Sequence, residues 1–155
     1  MQVMGWSNWL DMANIYAGVM SGCTKVTVGA VIVKHGRAVS SGANRAIPDL
    51  SKYRGCLRIE KYGANHKRHR SPADCRAIHS EVDAICGARE DLTGTTIFVT
   101  RYPCEACARA IVSAGITRVV YGRQQKISEE TQRIFEDSGV TVIWEKDWDA
   151  PDVRN

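Results

Sequence analysis

The chain has 155 residues, 44% of them apolar and 25% charged, with a net charge of +4 at neutral pH. That length supports one domain with a real core, and that balance is the one of an ordinary soluble protein. No apolar run approaches the roughly 20 residues of a membrane span, and the first six residues lack the basic-then-apolar order of a secretory signal. The expected setting is the cytoplasm, with no membrane partner. The charge is unevenly placed: Lys52, Arg54, Arg58, Lys61, Lys67, Arg68 and Arg70 stand against Glu60, so residues 52–70 carry +6 and the rest −2. This suits a phosphate-bearing partner or a plain solvated loop, and the total is too small to imply a nucleic-acid groove.

In chain order, Trp9, Met12, Ala13, Tyr16 and Met20 fall at helical spacing and predict an amphipathic first helix over residues 6–20. Residues 26–34 form a β-rich apolar run, His35 and Gly36 a turn, and residues 37–42 a returning strand, together a hairpin. A polar, basic connection without periodicity follows to about residue 75. Its length marks it as functional or disordered, and it reads as a basic insertion at about 46–74 in a single domain spanning 1–155. A helix is expected from His79 to about residue 89, with Ile78, Val82, Ile85 and Cys86 facing inward. Residues 95–100 read as a strand and 104–114 as a helix that Pro103 opens and Gly115 stops. Residues 118–121, 128–138 and 140–145 then read as strand, helix and strand. Later strands joined through helices pair in parallel beside the opening hairpin. The expected class is α/β, a three-layer α/β/α sandwich around a mixed five-stranded sheet.

The chemistry concentrates in two short stretches. His79–Ser80–Glu81 places a carboxylate two residues from an imidazole, and Pro103–Cys104–Glu105–Ala106–Cys107 supplies two thiols one helical turn apart. One histidine and two cysteines supply residue types that ligate zinc. A catalytic zinc keeps three protein ligands and leaves the fourth position to water, whereas a structural one closes its shell with four. With three ligands in hand, Glu81 is free for acid/base work. His-x-Glu followed by Pro-Cys-x-x-Cys is the pattern of zinc deaminases that act on nucleobases. A structural zinc with one further ligand is the competing reading, and it would take Glu81 out of acid/base service. Six cysteines are present (Cys23, Cys56, Cys75, Cys86, Cys104 and Cys107). The Cys-x-x-Cys beside His-x-Glu points to metal chemistry in a reducing compartment rather than to disulfides, and Cys75 and Cys86 read as buried thiols.

On these residues the chain resembles the deoxycytidylate (dCMP) deaminases of the zinc-dependent cytidine deaminase-like superfamily. The resemblance runs from about residue 9 to 143. Besides the metal motifs it rests on Met12–Ala13, Ser21–Gly22–Cys23, residues 28–33, Gly36–Arg37, Ser41–Gly42–Ala43–Asn44, Val99–Thr100 and Ala114–Gly115–Ile116. It implies a catalytic zinc on His79, Cys104 and Cys107, with Glu81 shuttling protons and Asn44 binding the nucleotide near its sugar and phosphate. The implied reaction is hydrolysis of dCMP to dUMP and ammonia, which feeds dTMP synthesis. Relatives are homo-oligomers, most often hexamers, and some hold a second, structural zinc, for which Cys23, Cys56, His66 and His69 supply the ligand types.

The departures concern the substrate more than the reaction. The family's Gly-Tyr-Asn-Gly is Gly42–Ala43–Asn44–Arg45 here, its His-Ala-Glu is His79–Ser80–Glu81, and the asparagine two residues past the glutamate is Asp83. Arg45 either meets the substrate phosphate, whose geometry a guanidinium matches, or stands exposed. Tyr102 either borders the base pocket or packs. Competing readings are a deaminase of another small base or nucleotide (a modified deoxycytidylate, cytidine or guanine), a nucleic-acid editing module, and an inactive zinc scaffold.

Overall fold

The computed structural model describes residues 6–23, 26–46, 56–63, 75–123 and 127–147. Its elements are α1 (Trp6–Met20), β1 (Gly29–Lys34), β2 (Arg37–Ala43), β3 (Arg45–Ala46), α2 (Leu57–Tyr62), β4 (Ala77–Ile78), α3 (Ser80–Gly87), β5 (Thr96–Arg101), α4 (Glu105–Ser113), β6 (Arg118–Arg123), α5 (Glu129–Asp137), β7 (Thr141–Trp144) and a closing 3-10 turn, Glu145–Asp147. Five strands make one mixed sheet in the order β2-β1-β5-β6-β7. β1 runs antiparallel to both β2 and β5, and β5, β6 and β7 run parallel to one another.

The hairpin closes as its turn residues require. His35 and Gly36 have φ of 49° and 73°, the left-handed pair of a two-residue turn whose twist matches that of the flanking strands. The central strands are apolar through their middles because both faces of the sheet are covered there, and their side chains alternate between two cores. Val31 and Val33 of β1, Phe98 of β5 and Val120 of β6 pack with Trp9, Leu10 and Ala13 of α1. The intervening Ala30, Ile32, Ile97, Val99 and Val119 face the other way, against Ala84 of α3, Ala108 and Ile111 of α4 and Phe135 of α5. This is the three-layer sandwich expected from the order of elements.

Three differences from the sequence reading have local causes. The first strand begins at Gly29 rather than at residue 26, because the Asn44 side chain and backbone take the Val28 groups that a ladder would use. The third helix ends at Gly87, and His79 caps it from outside in an extended conformation instead of entering its first turn. The basic insertion contributes α2 and the strand β3, which pairs antiparallel with β4 through Arg45↔Ile78 and Ala46↔Ala77. Elements of six and two residues carry no readable period.

α3 lies directly on β2. A Cβ at Gly42 would run into the Ser80 carbonyl oxygen and the Ala84 backbone nitrogen. Neither can move without shifting the helix that starts at the site. Gly42→Ala is therefore expected to cost about 1–3 kcal/mol by overpacking and to lower Tm by roughly 3–10 °C. An unchanged melting curve would contradict this close approach.

Candidate active site

Two helix N-termini converge on one point. His79 is the N-cap of α3 and Cys104 the N-cap of α4, both extended, and Cys107 follows in the first turn of α4. Their ligand atoms all lie within 4.8 Å of one another. His79 Nδ1 is 3.5 Å from Cys104 Sγ and 3.4 Å from Cys107 Sγ. Zinc–sulfur and zinc–nitrogen bonds of about 2.3 and 2.0 Å meeting at a tetrahedral angle put sulfur and nitrogen about 3.5 Å apart. The donor set thus fits a tetrahedral zinc in both chemistry and spacing. Cys107 is buried, Cys104 half-buried and His79 exposed, so the group opens toward solvent on one side.

The electrostatics match a metal seat. The Cys104 thiol is pushed down to about 3, first by the hydrogen bond from the Cys107 thiol and then by His79 and the Cys107 backbone N–H. The same contact, with burial and the nearby Glu81, pushes Cys107 up. The bond to Cys104 raises His79. Aligned peptide dipoles at a helix start favour thiolates, and here two helices point theirs at the group.

Glu81 lies in the first turn of α3, only 4% exposed, and is not a member of the metal-fitting group. Burial holds its carboxyl above the usual range, against the opposing pull of its own backbone N–H and of His79. The Ser80 hydroxyl donates to Glu81 Oε2 at 3.0 Å. A buried carboxyl with raised proton affinity, next to a metal seat and outside it, is what proton ferrying needs.

The other candidate residues fall in different places. Asn44 is 9% exposed and joins three segments: Oδ1 accepts from the Ser21 hydroxyl at 2.6 Å and the Val28 N–H at 2.8 Å, and Nδ2 donates to the Val26 carbonyl at 2.7 Å. The Arg45 guanidinium, expected at a phosphate or in open solvent, is instead bound to Asp83, with Nη2 2.7 Å from Oδ1. Tyr102 packs: its ring stands edge-on to Tyr121, centroids 4.9 Å apart, and to Phe135 at 6.4 Å. With Ile127, Gln132 and Glu136 these rings line a cavity of about 290 Å³ beside α5 that the metal-fitting group does not share. Cys23 and Cys56 are half-buried thiols, while His66 and His69 lie outside the described residues. Residues missed from sequence are Ser80, Asp83 and Arg58 of α2, whose charge bears on His79. Asp83 alone was signalled, since it stands two residues past Glu81 where the family's motif has an asparagine.

A model of the cytidine and deoxycytidylate deaminase zinc-binding region matches residues 7–123, which include the whole metal-fitting group and Glu81. The chain belongs to this deaminase family. It is therefore a hydrolytic enzyme with a zinc seat. The deoxycytidylate deaminase of Mycobacterium phage D29 is 36% identical to this deaminase over 128 residues, covering 77% of the chain and 95% of the phage protein. ComE operon protein 2 of Bacillus subtilis is 31% identical over 147 residues, covering 92% and 72% of the two chains. The crystal structure of the dCMP deaminase from the cyanophage S-TIM5 in complex with dCMP and dUMP superposes with a TM-score of 0.69 at 25% identity, covering 89% and 94%. No helix among the described residues of this deaminase is long and apolar enough to cross a membrane.

Proposed function

We propose that the protein hydrolyses dCMP to dUMP and ammonia. The observation that carries the chemistry is the buried Glu81 carboxyl beside, but outside, the His79–Cys104–Cys107 group. The substrate assignment draws on relatives named as deoxycytidylate deaminases and on the similar phage enzyme crystallised with dCMP and dUMP. His79, Cys104 and Cys107 hold zinc, which when bound lowers the pKa of water toward about 7 and so supplies hydroxide at neutral pH. Glu81 takes one proton from the attacking water and delivers it to the ring nitrogen of cytosine, then moves the proton of the hydroxyl added at the ring carbon to the amino group, which leaves as ammonia. The corner at Asn44, braced by the neighbouring Arg45, receives the sugar and phosphate. Tyr102 serves this end by fixing the start of α4, its ring locked among Tyr121 and Phe135.

An ammonia-release panel at equal concentrations of dCMP, 5-methyl-dCMP, deoxycytidine, cytidine and guanine tests the assignment. We expect dCMP to exceed deoxycytidine in kcat/KM by about 100-fold, a phosphate contribution of roughly 2.7 kcal/mol. Turnover of cytidine or guanine with dCMP inert would overturn it. One zinc per chain is the minimum metal content. Cys23, Cys56, His66 and His69 would hold a second, and two zinc ions per folded chain would establish it. We also assign a cytoplasmic setting and a homo-oligomer, with a hexamer favoured, which sedimentation at working concentration checks.

A further inference from the structure

Asp83 is buried on α3, two residues past Glu81, yet takes no part in the metal-fitting group. Both its oxygens go to the corner between β2 and β3. Oδ2 accepts the Ala43 N–H at 3.1 Å, and Oδ1 accepts from Arg45 Nε at 3.0 Å while pairing with Nη2. Asn44, which lies between these two anchor points, is thereby held from both sides. Its own side chain reaches the opposite way, to Ser21, Val26 and Val28. One carboxylate thus couples the helix that carries Glu81 to the corner that carries Asn44. Arg45 and Asp83 are two of the positions at which this chain departs from the usual motifs, and they are in direct contact.

We infer that Arg45 and Asp83 act as one positioning unit, which sets the nucleotide-receiving corner at Asn44 relative to Glu81 and so controls how tightly substrate binds. The inference rests on the assignment of that corner to the nucleotide. A guanidinium grips a carboxylate from a fixed direction along its planar fork, which an ammonium does not do. The pair also explains how a charge is tolerated at a position as buried as Asp83. Removing one member strands the other, whereas removing both leaves an uncharged corner. Arg45 acts here through Asp83, not as a phosphate ligand in its own right.

The test uses zinc-loaded Arg45→Gly, Asp83→Asn, the double variant and Arg45→Lys, each followed by thermal unfolding, zinc content and steady-state kinetics with dCMP. Each single change is expected to raise KM about tenfold with kcat within about threefold, and the double variant to return to within about threefold of the native KM. Arg45→Lys should recover melting temperature but not KM, because it restores the charge without the fork. Effects that multiply in the double variant would overturn the unit, as would a double variant no better than Arg45→Gly, the result expected of a direct phosphate ligand. Lowered melting temperatures with unchanged KM would also overturn it, since they would mark a purely structural pair. A native enzyme inert toward dCMP would defeat the substrate assignment instead. The same four variants, read by melting and by KM for whichever substrate the native enzyme accepts, would still decide the coupling.

Discussion

Glu81→Gln is expected to lose about 10³-fold in kcat, near the middle of the range for a positioned acid/base, while keeping its zinc. Glutamine has the shape of glutamate and still accepts the hydrogen bond that Ser80 gives to Oε2. It cannot carry a proton between water and base. The variant should also be more stable than the native chain in neutral, metal-free solution. Burial raises the Glu81 carboxyl above its ordinary value of 4.5. A group raised on folding binds more protons in the folded state, so its contribution is complete below about pH 4.5 and is lost as pH climbs through the raised value. Melting curves of both proteins from pH 4 to 8 should therefore diverge upward, with Glu81→Gln the more stable. Retention of more than a tenth of native kcat would remove Glu81 from the shuttle, and loss of zinc would make it a ligand.

The second large effect concerns the metal. A chelator should abolish ammonia release, and zinc added back to metal-free protein at pH 7 should restore it while releasing about one to two protons per ion. The number follows from the three donors. Cys104, pushed down to about 3, is already a thiolate. Cys107 holds its proton until metal displaces it, because its thiol bonds to Cys104 in a buried place. His79, raised by the same cluster, contributes a fraction more. Zinc affinity should accordingly fall as pH falls. Calorimetric titrations in two buffers of different ionisation heat measure the proton count, and a value of zero would show that the thiols do not bind the ion.

What was legible in the sequence is what short-range periodicity encodes. Cys104 and Cys107 face one way because they sit one turn apart, and the alternation of Val31, Ile32 and Val33 marks a strand covered on both faces. The turn at His35 and Gly36 and the stop at Gly115 are likewise local, as is the helix start read at residue 128, where the structure has Ser128 Oγ accept from the Thr131 N–H as the cap of α5. Contacts between distant positions were not legible. Arg45 and Asp83 are 38 residues apart, and only the close approach of β2 to α3 at Gly42 brings them together. Arginine at position 45 therefore read as a cation that either meets a phosphate or stands exposed. Asn44 read as a nucleotide contact, and nothing nearby in sequence announced that its amide also joins Ser21, Val26 and Val28. Tyr102 was ambiguous for a related reason: an aromatic before Pro103 suits either a pocket wall or a core, and its contacts with Tyr121 and Phe135 are visible only in three dimensions.

X-ray absorption at the zinc edge, recorded on loaded native protein and on Glu81→Gln, tests the open metal seat and the free carboxylate together. Two sulfur and two lighter neighbours are expected, in a shell that does not change in the variant. Three or four sulfur neighbours, or the loss of a light neighbour in Glu81→Gln, would contradict a seat that leaves room for water and a carboxylate that stays off the metal.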